Sequence, residues 1–504
     1  MRHTANIFTL IFIIFLYSTI YCSSVPNESL SAPLLLLISF DGFRWNYPDL
    51  YHLPNFNLLS KRGVRVKYIQ NNFATVTFPL HYSIITGLYE ESHGIVGNTI
   101  FDPKLNAVTT LDTMNDTRWW SQNSYSQPIW TSNELANDSY QRRSGVIAWP
   151  SIGTPINGHL PVRYQLFNLT RKFDSILQQI IDWFREPAES RINLGVVYYP
   201  EPDMTGHHHG PISDEMNKTL KECDDYVGQL LAMIDIDEYL KRNLNVIITS
   251  DHGMESIRKN RTIILADYID TKLCSAYGSR SSVNIFVPLE SNINRIYANL
   301  STIPNFEVYK KSQIPDEYHY KSNIRIGDIL FVAKAGYEII APGDNASIEL
   351  LGDHGYDDRV ESMHGIFYGF GPAFHENMQV EPFHTVDIYP LMSYILKLKE
   401  RKTNGSIDNV KHILRHHINN DLFDEINLLL SKTTSYVTSW GFITDGCVLL
   451  VILISIVYII VAFRHSRQLI YAEPQFPIRY RLLSNDEGSK NNFFPDVSDN
   501  EELE

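Results

Sequence analysis

Three apolar runs in this chain each lead into an acidic residue. LLLLISF leads into Asp41, INLGVVYY through Pro200 into Glu201-Pro202-Asp203, and LNVIITS into Asp251-His252-Gly253. His207 lies four positions beyond Asp203, and Met363-His364-Gly365 closes the set. Mixed carboxylate and imidazole groups suit zinc and related first-row ions, whereas oxygen-only sets favour magnesium or calcium. An i, i+4 pair such as Asp203 and His207 can aim two side chains at one ion from a helical turn. Adjacent residues such as Asp251 and His252 point to different sides of an extended segment, which suits a pair of ions or one shared ion. A hydroxyl nucleophile is offered by Thr77 in ATVTFPLHYSIITGL, where Pro79 marks the first turn of a helix. Unpaired N–H groups at such a start favour phosphate oxygens. Thr75 is a rival two residues earlier, and a plain capping role for Thr77 is equally open on these grounds.

Such residues converge only if the segments before them lie side by side. Strand-like apolar runs occur at 33–40, 193–199, 244–250, 282–288 and 328–333, with helix-like stretches at Phe173–Arg185 and Asn217–Ile236 between them. Strands alternating with helices predict an α/β layer fold with a mostly parallel central sheet flanked by helices. Loops at the carboxyl ends of such strands meet in one crevice.

The chain has 504 residues, 44% of them hydrophobic, and a formal net charge of −14, which excludes a broadly basic nucleic-acid surface. Residues 1–24 have the layout of a signal peptide: an early Arg2, an apolar stretch and small residues at the end. Residues 446–463, GCVLLVILISIVYIIVAF, carry no charge and are long enough to cross a bilayer of about 30 Å. Arg464 and Arg467 follow, which predicts a cytoplasmic tail over 464–504 and a single-pass type I protein at the plasma membrane. The expected catalytic ectodomain is then 25–430, with a stalk at 431–445. Sequons at Asn27, Asn115, Asn137, Asn168, Asn217, Asn260, Asn299, Asn345 and Asn404 all precede the apolar span, as in a glycosylated ectodomain. Cys223 and Cys274 are the two cysteines left outside the signal and the span, and in an oxidising compartment they are expected to pair.

The order Asp41-Gly-Phe-Arg, Thr77-Phe-Pro-x-His, Gly87-Leu-Tyr-x-Glu-Ser-His-Gly, Glu201-Pro-Asp-x-x-Gly-His, Asp251-His-Gly-Met and Met363-His-Gly resembles the ectonucleotide pyrophosphatase/phosphodiesterase family of the alkaline phosphatase superfamily. The resemblance covers roughly 30 to 430, and the short ectodomain plus carboxyl-terminal span resembles the family's compact, type I membrane members. It implies an alkaline phosphatase-like fold and two zinc ions, one held by Asp203, His207 and His364, the other by Asp41, Thr77, Asp251 and His252. It implies Thr77 as the nucleophile, Asn98 as a phosphate contact, and Phe78 with Tyr199 as an aromatic clamp on a nucleobase. The implied activity is hydrolysis of extracellular nucleotides or dinucleotides to 5′-nucleoside monophosphates through a covalent threonyl intermediate. Val76 and Leu80 stand where many members carry Lys and Asn, which bears on the preferred phosphate tail. His354, in Asp353-His354-Gly355, reads as structural, and His81 and His93 as supports. Two rival functions are a choline-phosphodiester or lysophospholipid hydrolase, which needs an apolar pocket, and a catalytically silent surface receptor, for which a ligand should be missing.

Overall fold

The structure, a computed structural model, describes residues 32–415 apart from Leu111, Asp112, Met114, Gln122, Ser139 and 345–348. Its centre is an eight-stranded sheet in the order Met378–Val380, Gly63–Val66, Phe367–Phe370, Leu244–Thr249, Leu34–Phe40, Leu194–Tyr199, Ser144–Ile147, Arg163–Gln165. Seven strands share one direction, while Phe367–Phe370 runs antiparallel to both its neighbours. The sheet is therefore mixed, because one short strand enters against the others. The runs near 282–288 and 328–333 do not join it. They form Ser282–Phe286 and Ile329–Ala333, the middle of a separate four-stranded antiparallel sheet completed by Ser275–Gly278 and Phe306–Lys310.

Leu34–Phe40 is buried along its whole length, which is why it reads as continuous apolar sequence rather than alternating. Leu35 and Leu37 enter one apolar cluster, while Leu34, Leu36, Ile38 and Phe40 enter another on the opposite face. Each such side chain contributes about 1.5–3 kcal/mol by burial, so a one-residue slip of register is strongly disfavoured. The second face is covered by Phe173–Arg185 and Asp214–Asp235, whose apolar residues recur at helical spacing. Parallel pairing sets Phe40 opposite Tyr199 and Ser39 opposite Thr249. Three neighbouring strands consequently end at one level, each just before its acidic residue.

The predicted Cys223–Cys274 bond is not formed. Both are buried free thiols, Cys223 on the long helix in the second cluster and Cys274 in the cluster around the antiparallel sheet. Each is held by packing in its own core, so two lone cysteines do not amount to a pair. Asn115, Asn137, Asn168, Asn260, Asn299 and Asn404 are exposed, and Asn217 is half-buried. Asn27, Asn345 and the residues assigned above to signal, stalk, span and tail lie outside the described residues. No helix among the described residues is long and apolar enough to cross a membrane.

Candidate metal centre and nucleophile

At the carboxyl edge of the central strands, seven buried or half-buried side chains fall into linked groups. Asp203, His207 and His354 offer ligand atoms within 4.8 Å of one another, and so do Asp41, Asp203 and His252. His207 Nε2 lies 3.3 Å from Asp203 Oδ2, and His354 Nε2 lies 3.5 Å from Asp203 Oδ1. His252 Nε2 lies 3.1 Å from Asp251 Oδ2 and 3.5 Å from Asp41 Oδ1. The chain comes close enough for this because Gly42 adopts φ +67°; a Cβ there would meet the Asp203 Cα at 2.8 Å. Gly42 also donates its N–H to Asp251 Oδ1 at 3.1 Å.

The tautomers follow from the partners. His207 Nδ1 is 2.9 Å from the Gly352 carbonyl oxygen, His252 Nδ1 is 2.9 Å from that of Gly253, and His354 Nδ1 is 2.9 Å from that of Thr75. A carbonyl only accepts, so each Nδ1 carries a hydrogen, and the neutral rings of His252 and His354 turn a bare Nε2 inward. Those nitrogens face Asp41 Oδ1, Asp203 Oδ1 and Asp251 Oδ2, buried oxygens that have no hydrogen-bond partner. Lone pairs facing lone pairs in a buried site fit a cation between them.

The ionisation of the ion-free groups says the same. Burial, then the charges of Asp251 and Asp203, push the Asp41 carboxyl well above its usual range. Burial and Asp203 raise Asp251 to about 8. Burial would raise Asp203 as well, but His207 and His354 more than offset it and hold it low. Burial lowers His207, yet the Asp203 carboxylate overrides this and lifts it to about 10. Without an ion, a proton on His207 occupies the place of positive charge.

His364 stands apart from both groups. Its Nε2 donates to the Asp358 carbonyl oxygen at 3.1 Å, and its ring stacks on Tyr68 at 4.2 Å. The third imidazole beside Asp203 and His207 is that of His354, which the sequence reading set aside as structural. The available signal was the repeated triplet: Asp353-His354-Gly355 duplicates Asp251-His252-Gly253, and the two rings stack at 3.5 Å. His81 shares a group with Asp41 and Asp251. Both its nitrogens are engaged, Nδ1 with the Thr77 carbonyl oxygen at 2.8 Å and Nε2 with Ser39 Oγ at 2.9 Å, so it positions rather than ligates. His93 is buried on Ser83 Oγ at 3.0 Å, away from the carboxylates.

Thr77 opens the helix Thr77–Thr86, and its Oγ1 lies 3.4 Å from His252 Nε2. The rival Thr75 is fully buried, donating to the Tyr356 carbonyl oxygen and accepting from Gly355 N–H. Its hydroxyl is spent on holding the loop that carries His354. Asn98 Oδ1 accepts from the Phe78 N–H at 2.9 Å, which fixes the amide and leaves its Nδ2 as a donor beside Thr77. Phe78 is half-buried against Trp120. Tyr199 does not face it. Consecutive strand residues point to opposite faces, and Tyr199 packs with Phe40, Phe173 and Tyr226 on the far side. The aromatic residue on the catalytic side is Tyr198, whose hydroxyl donates to Asp41 Oδ2 at 2.6 Å. Val76 and Leu80 are both buried apolar side chains in this helix start.

A mixed α/β sheet whose strand ends gather three carboxylates, three imidazoles and a helix-start hydroxyl defines a hydrolase of the metal-assisted kind. The profile of Type I phosphodiesterase / nucleotide pyrophosphatase matches residues 35–357. The chain belongs to that family, the ectonucleotide pyrophosphatase/phosphodiesterases of the alkaline phosphatase superfamily, and is an enzyme of the nucleotide pyrophosphatase/phosphodiesterase class. It is 39% identical over 384 residues to the human ectonucleotide pyrophosphatase/phosphodiesterase family member 5, covering 75% of this chain and 78% of that one. It is 38% identical over 412 residues to the Bis(5′-adenosyl)-triphosphatase of Xenopus laevis, covering 80% and 87%. Among solved structures, murine member 5, an inactive threonine-to-alanine variant in complex with AMP, superposes with TM-score 0.71 at 36% identity. That match covers 76% of this chain and 100% of the murine one.

Proposed function

We propose that this chain is a two-zinc ectophosphodiesterase that cleaves extracellular nucleotides or dinucleotides to a 5′-nucleoside monophosphate. The single observation carrying the reading is Thr77: its hydroxyl opens a helix 3.4 Å from His252 Nε2, beside carboxylate oxygens with no hydrogen-bond partner. Asp203, His207 and His354 would hold one ion, and Asp41, Thr77, Asp251 and His252 the other. Zinc bound there supplies the positive charge that favours a deprotonated hydroxyl and stabilises a charged transition state. Thr77 Oγ1 attacks the phosphorus, and its new P–O bond forms as the bond to the departing phosphate oxygen breaks. Asn98 Nδ2 donates to an oxygen of the phosphoryl group under attack. Water then splits the nucleotidyl-threonine, releasing the monophosphate and restoring the hydroxyl. The murine relative supports this reading, because a threonine-to-alanine change accompanies its inactivity and AMP is its ligand.

The sequence features at 1–24, 446–463 and 464–504 support a type I plasma-membrane placement with this site outside the cell. Purified protein should lose turnover of a nucleotide ester on chelation and regain it with zinc. Thr77→Ala should abolish turnover while keeping the metal content. Full activity in that variant would move the nucleophile elsewhere.

A further inference from the structure

Residues 94–97, which lead to Asn98, belong to no helix or strand: the short helix Glu90–His93 ends before them and the strand Ile100–Asp102 begins after them. They are nonetheless buried. Buried main-chain groups without a ladder must find partners elsewhere. Here the partners are side chains, and they meet successive residues of the stretch. The Arg325 guanidinium donates to the Gly94 carbonyl oxygen at 2.7 Å. The Ile95 N–H donates to His93 Nδ1 at 3.0 Å. The Tyr320 hydroxyl donates to the Val96 carbonyl oxygen. Asn98 follows, its Oδ1 taken by the Phe78 N–H at the helix start. The direction of its Nδ2 therefore depends on where this stretch lies.

Both donors are fixed in turn from outside the catalytic sheet. The Tyr320 oxygen accepts from Asn284 Nδ2 at 2.9 Å, and Asn284 sits on Ser282–Phe286, an inner strand of the antiparallel sheet. Arg325 is fully buried, and its Nε pairs with Asp102 Oδ2 at 2.8 Å. One guanidinium thus clasps Gly94 and Asp102, the two ends of the loop that carries Asn98. The same segment grips the chain further back, where the N–H groups of Lys321 and Ser322 donate to Glu91 Oε2 at 2.9 and 2.8 Å. The antiparallel sheet holds none of the grouped carboxylates and imidazoles described above, yet it decides where the amide stands. Resting on the function proposed above, we propose that Tyr320 and Arg325 are positioning residues that aim the Asn98 amide at the phosphoryl oxygen.

The test is a double-mutant cycle in the full-length protein, with a p-nitrophenyl ester of a 5′-nucleoside monophosphate as substrate. Asn98→Ala should lower kcat about 100-fold, as loss of a donor to a charged transition state does. Tyr320→Phe removes only the hydroxyl; it should lower kcat about tenfold, leave KM within about twofold and keep the zinc content. In the Asn98→Ala background the same change should cost less than about twofold, because it acts through an amide already gone. Arg325→Lys keeps a charge beside Asp102 but loses the fork that reaches Gly94, and its cost should vanish in that background too. A residue that only supports the fold costs the same factor in both backgrounds. That result, or no cost in either, refutes the positioning role while the function stands. A wild type that leaves the ester intact brings down the proposed function, and full activity in Asn98→Ala strikes the amide from it.

Discussion

Exchanging His354 and His364 for alanine, one at a time, separates two ways of building the same metal centre. His354 presents a bare Nε2 3.5 Å from Asp203, with its Nδ1 fixed on the Thr75 carbonyl oxygen. His364 spends its Nε2 on Asp358 and lies flat against Tyr68. Even residues that only orient a ligand cost 10–100-fold in metal affinity when replaced, so loss of a ligand nitrogen should cost at least about 100-fold, or about 2.7 kcal/mol. His354→Ala should therefore lose one zinc per chain on dialysis against a buffered chelator that leaves the wild type loaded. His364→Ala should keep both ions and lose about 1–3 kcal/mol of folding stability through the stripped stacking contact and the space left behind. Metal analysis after dialysis, with a denaturant titration on each variant, reads both quantities. Full zinc content in His354→Ala with loss in His364→Ala would refute the geometry outright.

Three further outcomes follow from the same geometry. Gly42→Ala places a methyl 2.8 Å from the Asp203 Cα at a left-handed backbone position; it should lower stability by about 1–3 kcal/mol and weaken zinc binding, as thermal unfolding with and without the metal will report. Thr75→Ala should retain the nucleophile but loosen the loop carrying His354, so kcat falls only partly, whereas complete inactivation with normal metal content would favour Thr75 as the attacking group. Glu90 is fully buried, and burial pushes its carboxyl well above the usual range despite donors from Asn72 and Ser83. A raised carboxyl stabilises the fold below its unfolded value of about 4.3 and loses that contribution as pH climbs toward the folded one. Glu90→Gln should flatten that decline in a urea-unfolding series across pH, and an unchanged slope would assign it to other groups.

The acid-bearing strand ends were legible because their signal is local: a buried strand is a solid apolar run, and the residue after it lies at the sheet edge. The helix start at Thr77 was equally legible from Pro79; residue types alone left Thr75 as a rival, the family resemblance implied Thr77, and in the fold the loop at 354–356 engages the Thr75 hydroxyl. Long-range choices were not legible. His354 and His364 sit ten residues apart in similar contexts, and only the direction of each ring tells which faces Asp203. Tyr199, expected as half of an aromatic clamp, packs with Phe40, Phe173 and Tyr226, while its neighbour Tyr198 reaches Asp41, because consecutive strand residues point to opposite faces. The apolar runs at Ser282–Phe286 and Ile329–Ala333 look like central strands because burial, not sheet membership, sets their composition. The reversal at Phe367–Phe370 left no trace, since four buried residues read alike in either direction.

That reversed strand carries a practical lesson about where the enzyme can be cut. Phe367–Phe370 seals the edge of Leu244–Thr249 and carries Gly63–Val66 and Met378–Val380 outside it. All the side chains gathered around the proposed ions lie before residue 358, and so does the family match. A fragment trimmed at that border would keep every group needed for chemistry. It would nevertheless bare the main-chain amides of the strand leading to Asp251 and strand Gly63–Val66 without a neighbour, inviting aggregation in place of turnover.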